Sequence, residues 1–95
     1  MRKNITEVRK ALAEIYDEDY VDGLTLFDAP TYAGAIVAVT CDDRVVYDFD
    51  KMVAELVNED GMDVAEAAEF IEYNVVRALP YMPKAPVIIH QYINI

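Results

Sequence analysis

No serine occurs anywhere in these 95 residues, and there is one cysteine and one histidine. The first absence removes every serine nucleophile. The lone Cys41 excludes an internal disulfide and fits a reducing compartment. Glycine is equally sparse, with three residues, and proline contributes four. No Gly-rich phosphate loop is present, and no low-complexity linker divides the chain, so residues 1–95 read as a single domain. Long hydrophobic runs are missing too. The longest, Ala35–Val39 and Val87–Ile89, are far too short to span a bilayer. The basic start Met1-Arg2-Lys3 meets Glu7, Arg9 and Lys10 before any apolar leader segment can form. The expectation is a cytoplasmic protein with no membrane association.

Positive charge is the other shortage. Eight Lys and Arg face 18 Asp and Glu, for a net charge of −10. Seventeen of those carboxylates fall between Glu14 and Glu72, opposed there only by Arg44 and Lys51. The charge therefore sits in the body of the chain, and no acidic tail accounts for it. Such a body repels nucleic acid and anionic membrane and attracts basic surfaces. What the chain does have is core material. Apolar residues make up 55%, with seven Tyr and three Phe, which an acidic disordered chain would lack.

Asn4 with Glu7 forms a capping-box pattern, and Val8, Ala11, Leu12 and Ile15 continue it as one apolar helical stripe. The polar cluster Asp17–Asp22, closed by Gly23, ends that helix. Leu24–Phe27 reads as a short strand. Two β-branched runs, Ala35–Thr40 and Val45–Phe49, surround the turn Cys41-Asp42-Asp43-Arg44 and predict a hairpin. Asp50 suits the N-cap of a second helix, with Met52, Val53, Leu56 and Val57 inward and Gly61 at its left-handed end. Asp63 with Glu66 opens a third helix, whose inner face is Ala67, Phe70, Ile71, Asn74, Val75 and Ala78. An amide on that face, Asn74, would need hydrogen-bond partners in a neighbouring loop or strand. Pro80, Pro83 and Pro86 form a stiff connector to a final strand over Val87–Tyr92. The order α–(β)–β–β–α–α–β predicts an α+β fold, a small and mostly antiparallel sheet of three to four strands with helices on one face.

Chemistry-bearing residues are few. A Cys41–His90 dyad would require the two within hydrogen-bond reach; a surface thiol and a strand histidine sharing a face with Ile88 and Tyr92 are the simpler readings. The run from Asp17 fails as a calcium loop, since its fifth and sixth positions are Val21 and Asp22. Asp48 and Asp50 could make half of a divalent site or an acid/base pair. The alternative favoured here has Asp50 capping a helix and Asp48 facing water. A helix-turn-helix around Asp60–Asp63 would present Glu66, Glu69 and Glu72 to phosphate, which rules against direct nucleic-acid binding. No catalysis, cofactor or metal is expected.

The acidic helices are what remains. Asp63, Glu66, Glu69 and Glu72 recur every three residues, so neighbours lie about 5–6 Å apart at their Cβ atoms. Glu59 and Asp60 precede them, and Asp42 and Asp43 sit at the hairpin tip as secondary candidates. Carboxylates at these intervals can stand in for backbone phosphates before an Arg/Lys groove. Tyr20, Tyr32 and Tyr81, in expected loops, suit contact with a partner and equally the covering of core edges.

The run Val45-Val46-Tyr47-Asp48-Phe49-Asp50-Lys51-Met52-Val53 resembles a small family of tailed-phage and prophage proteins. So do Asp60-Gly61-Met62-Asp63, Glu72-Tyr73-Asn74-Val75-Val76 and Pro86-Val87-Ile88-Ile89. The likeness covers about half the chain and departs at Arg77-Ala78-Leu79-Pro80-Tyr81, where the family continues with a Gly-containing stretch. That family carries no assigned activity, so the resemblance implies a phage context and transfers no site residues. With the charge, it leads to an expected binder of host machinery: an inhibitor of a bacterial nucleic-acid-targeting defence complex, of the anti-CRISPR kind. Its partner would be a basic nucleic-acid-binding protein or complex in the host cytoplasm. The alternative is a phage structural or regulatory protein that binds another phage component and is acidic only for solubility.

Overall fold

Strand β2 (Val45–Asp48) organises the molecule, because all four of its residues are buried. In the computed structural model, which describes residues 5–27 and 29–91, β2 lies between β1 (Ile36–Val39) and β3 (Val87–Ile89) in the order β1-β2-β3. A strand buried on both faces reads as a continuous apolar run rather than an alternating one, and Val45-Val46-Tyr47 is such a run. The β1–β2 pair is the expected antiparallel hairpin, in register at Val39↔Val45 and Ala38↔Val46, with an irregularity before Ile36↔Tyr47. Its turn closes through Thr40, whose hydroxyl accepts from the Arg44 amide at 3.0 Å, and it places Asp43 at φ 65°.

The second pairing corrects an expectation. β3 runs parallel to β2, in register from Val46↔Val87 to Asp48↔Ile89, so the three-stranded sheet is mixed rather than mostly antiparallel. Parallel neighbours need a long crossover, and here it is a helix pair: α3 (Phe49–Asp60) and α4 (Val64–Asn74). A 3-10 segment, Val76–Tyr81, and the Pro-rich stretch after it then return the chain to the sheet in the direction of β2. The Thr25 hydroxyl donates to the Pro83 carbonyl at 3.0 Å, and Arg44 Nε to the Ala85 carbonyl at 2.7 Å, pinning that return.

Leu24–Phe27 is not a strand. Leu24, Leu26 and Phe27 are buried, but their segment has no ladder partner, and side chains serve its backbone instead. Arg9 donates to the carbonyls of Val21 at 2.8 Å and Leu24 at 3.2 Å, and the Phe27 amide donates to the Tyr47 hydroxyl at 3.2 Å. Buried backbone polar groups need partners, whatever supplies them.

The four helices complete the α+β architecture. The first, α1 (Ile5–Ala13), buries Val8 and half-buries Leu12, while Ile15 lies beyond its end and is 75% exposed. The expected cap at Asn4 lies outside the described residues. The polar stretch expected only to stop α1 contains a short helix, α2 (Glu18–Asp22), capped by Asp17. In α3, Met52, Val53 and Leu56 face the core as expected, each worth about 1.5–3 kcal/mol when fully buried. A 3-10 segment at Pro30–Ala35 packs on α3, and Tyr32 within it is buried rather than held in an open loop. In α4 the buried stripe is Ala67, Ile71 and Val75; Phe70, Asn74 and Ala78 are exposed, contrary to expectation. Asn74 donates to the Phe70 carbonyl one turn back, at 3.0 Å, and makes no link to a neighbouring loop or strand among the described residues.

Candidate partner-binding surface

Asp48, not Asp50, caps α3. Its Oδ1 accepts from the Lys51 amide at 3.1 Å, while Asp50 sits exposed in the first turn. Asp48 is also fully buried, not water-facing, because the same residue ends the central strand. Its Oδ2 has no hydrogen-bond partner among the described residues.

Among the described residues no three His, Cys, Asp or Glu side chains are grouped to hold a metal ion. His90 lies just past the end of β3, not within a strand, with Nδ1 3.5 Å from Asp50 Oδ2 and its ring 4.8 Å from that of Phe49. Tyr92, expected to share its face, lies outside the described residues. Cys41 is exposed in the hairpin turn, at the other end of β2. At about 3.3 Å rise per strand residue the two are separated by on the order of 15 Å, so they form no dyad.

The acidic residues fall into two groups. Asp42 and Asp43, at the hairpin tip, are engaged within the fold. The Thr40 hydroxyl donates to Asp42 and holds its carboxyl below the usual range. The Tyr20 hydroxyl donates to Asp43 at 2.8 Å, and that bond pushes the Tyr20 hydroxyl pKa up. Tyr20 thereby ties α2 to the hairpin, a role within the fold and at its edge.

Glu59, Asp60, Asp63, Glu66, Glu69 and Glu72 form the second group, and all six are exposed. They run from the last turn of α3 across Gly61, at φ 70°, and along α4. Between Lys51 and Arg77 the chain has no Lys, Arg or His, so no basic residue falls within the row along the sequence. Asp63 has a second duty, accepting from the Glu66 amide at 2.8 Å as the cap of α4. Asp60 lies near enough to Tyr32 to add to the effect of burial in raising that hydroxyl's pKa.

One exposed aromatic lies among these acids and two follow them. Phe70 is 42% exposed, Tyr73 65% and Tyr81 87%. The Arg77 guanidinium sits 4.5 Å above the centre of the Tyr73 ring. Beside them a groove of about 350 Å³ opens between the chain around Thr25–Phe27 and the C-terminal half of α4, floored by Leu26, Phe27, Tyr32 and Val75 and edged by Ala78 and Met82. A second hollow of about 430 Å³, between α1 and α2, is lined by mixed charges that include the already engaged Arg9. The groove was not legible in the sequence, because it depends on Leu24–Phe27 lacking a strand partner. Among the described residues no helix is long and apolar enough to cross a membrane.

No family model, curated protein or solved structure matches this chain.

Proposed function

We propose that this protein is a non-catalytic inhibitor, of the kind phages direct at bacterial nucleic-acid-targeting defence complexes. Its α3–α4 surface occupies a basic groove that otherwise holds nucleic acid, inside the host cytoplasm. The observation that carries this reading is the row from Glu59 to Glu72: six exposed carboxylates on adjoining helices, with no cation between Lys51 and Arg77. Fixed carboxylates at helical spacing present an Arg/Lys groove with a charge pattern like that of a phosphate backbone, and attraction of this type weakens with salt. The phage context comes from the resemblance of the segments around Tyr47–Lys51 and Asp60–Asp63.

The test is capture from lysate of a defence-competent bacterial host, washed at low and high salt, with wild-type protein and the double variant Glu66→Lys, Glu69→Lys. Wild type retains a nucleic-acid-binding effector that salt or competing DNA removes. The variant, folded, binds at least about tenfold more weakly, since like charges across an interface repel strongly. Equal binding by the variant at equal salt would reject the helix face. Retention above about 0.5 M salt, where exposed pairs are screened, favours the second reading: a phage structural or regulatory protein that binds another phage component. The exposed Phe70, Tyr73 and Tyr81 are the observation on its side.

A further inference from the structure

We infer that the groove beside α4 receives an apolar side chain of the partner, so that the surface recognises a protein segment carrying Lys or Arg about two helical turns from a Leu, Met or Phe. This names the partner chemistry of the same surface and rests on the reading above. Glu66, Phe70 and Asn74 follow one another at intervals of four residues, so they lie along one side of α4. The first is an exposed carboxylate, the second an exposed aromatic ring, and the third lines the groove. From Glu66 to Asn74 is eight residues, about 12 Å along the helix.

At the end of that row, Leu26, Phe27, Tyr32 and Val75 form an apolar floor, with Ala78 and Met82 at the rim. About 350 Å³ is ample for one large aliphatic or aromatic side chain. Carboxylates lie along α4, which ends at the groove, and at the end of α3. Asp60 stands close to Tyr32, and Glu66 is two turns up the row. An apolar anchor entering here therefore arrives on a basic segment, because an acidic one would be repelled. Phosphate mimicry alone has no use for an apolar floor; a protein partner does, since a few buried apolar or aromatic anchors carry most interface energy.

The experiment is an NMR titration of the full chain, labelled at backbone amides and at Ala, Leu and Met methyl groups. Two synthetic probes of equal positive charge are compared: an amphipathic helical peptide of Lys and Leu, and an oligolysine with no apolar side chain. The Lys/Leu peptide is expected to shift the methyl signals of Leu26, Ala78 and Met82 together with the Glu66 amide. Oligolysine is expected to shift only amides between Glu59 and Glu72. Filling the groove with Ala78→Trp, at an exposed position, removes the methyl shifts and weakens the Lys/Leu peptide about tenfold, the scale of one buried apolar side chain. The same variant leaves oligolysine binding unchanged.

Identical maps and affinities for the two probes would overturn the groove assignment while leaving the acidic surface intact. Shifts in the groove with none between Glu59 and Glu72 for either probe would uphold apolar docking and reject electrostatic mimicry. The wild-type maps decide the matter even if Ala78→Trp does not fold.

Discussion

Tyr47 serves the sheet and the irregular segment at once. Its ring centre lies 4.5 Å from that of Phe27, and its hydroxyl accepts the Phe27 amide at 3.2 Å. Phe27 in turn packs edge-on against Tyr32 at 6.1 Å. Replacing Tyr47 with Phe preserves the packing but strands a buried N–H, so chemical denaturation is expected to show a loss of about 1–3 kcal/mol. The same hydroxyl sets the alkaline limit of the fold. Burial pushes its pKa up to about 12, against 10.0 in an exposed tyrosine. The folded state keeps this proton over an interval in which the unfolded chain has released it. The stabilisation is thus complete below about pH 10 and is lost as pH rises toward 12, by about 3 kcal/mol in all. Tyr32, raised mainly by burial, acts in the same direction. Unfolding measured from pH 8 to 12 should show this decline in wild type and a shallower one in Tyr47→Phe. Equal slopes would mean that Tyr47 is not the group that titrates.

The ends of α3 and α4 carry a different kind of information, since their caps decide where charge is free to meet a partner. Asp48 caps α3 and Asp63 caps α4, while Gly61 at φ 70° takes the left-handed position between them. Asp48→Ala is expected to cost about 1–2 kcal/mol by loss of the cap. Asp50→Ala should cost about 0.3–1 kcal/mol, the effect of a first-turn charge on the helix dipole. If thermal melts rank the two the other way, the cap has been misassigned. Gly61→Ala, with nothing within 4 Å of its new methyl, isolates the backbone cost of the left-handed conformation, about 1 kcal/mol. These elements also mark how far the sequence could be read. The hairpin, both long helices, Gly61 and the Asp63 cap were legible from β-branched runs, helical periodicity and turn chemistry, all of them local signals. Asp48 and Asp50 both satisfy the capping pattern, and only the position of β2 at the centre of the sheet decides between them. Leu24–Phe27 has the composition of a strand but pairs with neither edge of the sheet, because Arg9 and Tyr47 side chains take up its backbone instead. Phe70 and Asn74 fit the apolar arc of α4, yet the contact with its neighbours is filled by Ala67, Ile71 and Val75, with Ala68 partly buried beside them. The acidic residues were legible by charge alone; the groove beside them arises from tertiary packing and had no sequence signal.

At the scale of the molecule, a net charge of −10 on 95 residues is a load the fold bears and a handle a partner can use. Self-repulsion opposes compaction, and along α4 the acids Glu66, Glu69 and Glu72 stand three residues apart, each repelling the next by about 0.2–0.5 kcal/mol. Two consequences of opposite sign follow. Raising salt from about 10 mM to about 0.5 M shortens the screening length from about 30 Å to a few ångströms, so the melting temperature should rise while affinity for a basic partner falls. Glu69→Lys gives the sharper version of the same contrast, because it turns two repulsive pairs into attractive ones. The gain is about 1 kcal/mol, or about 4–8 °C in melting temperature for a domain of this size. A carboxylate whose removal strengthens the fold is kept for some other reason, and stability given up for function is the usual pattern at binding sites. If Glu69 faces the partner, the variant melts higher and binds more weakly. If Glu69→Lys melts higher and binds as well as wild type, this stretch of α4 lies outside the interface, and its charge serves solubility.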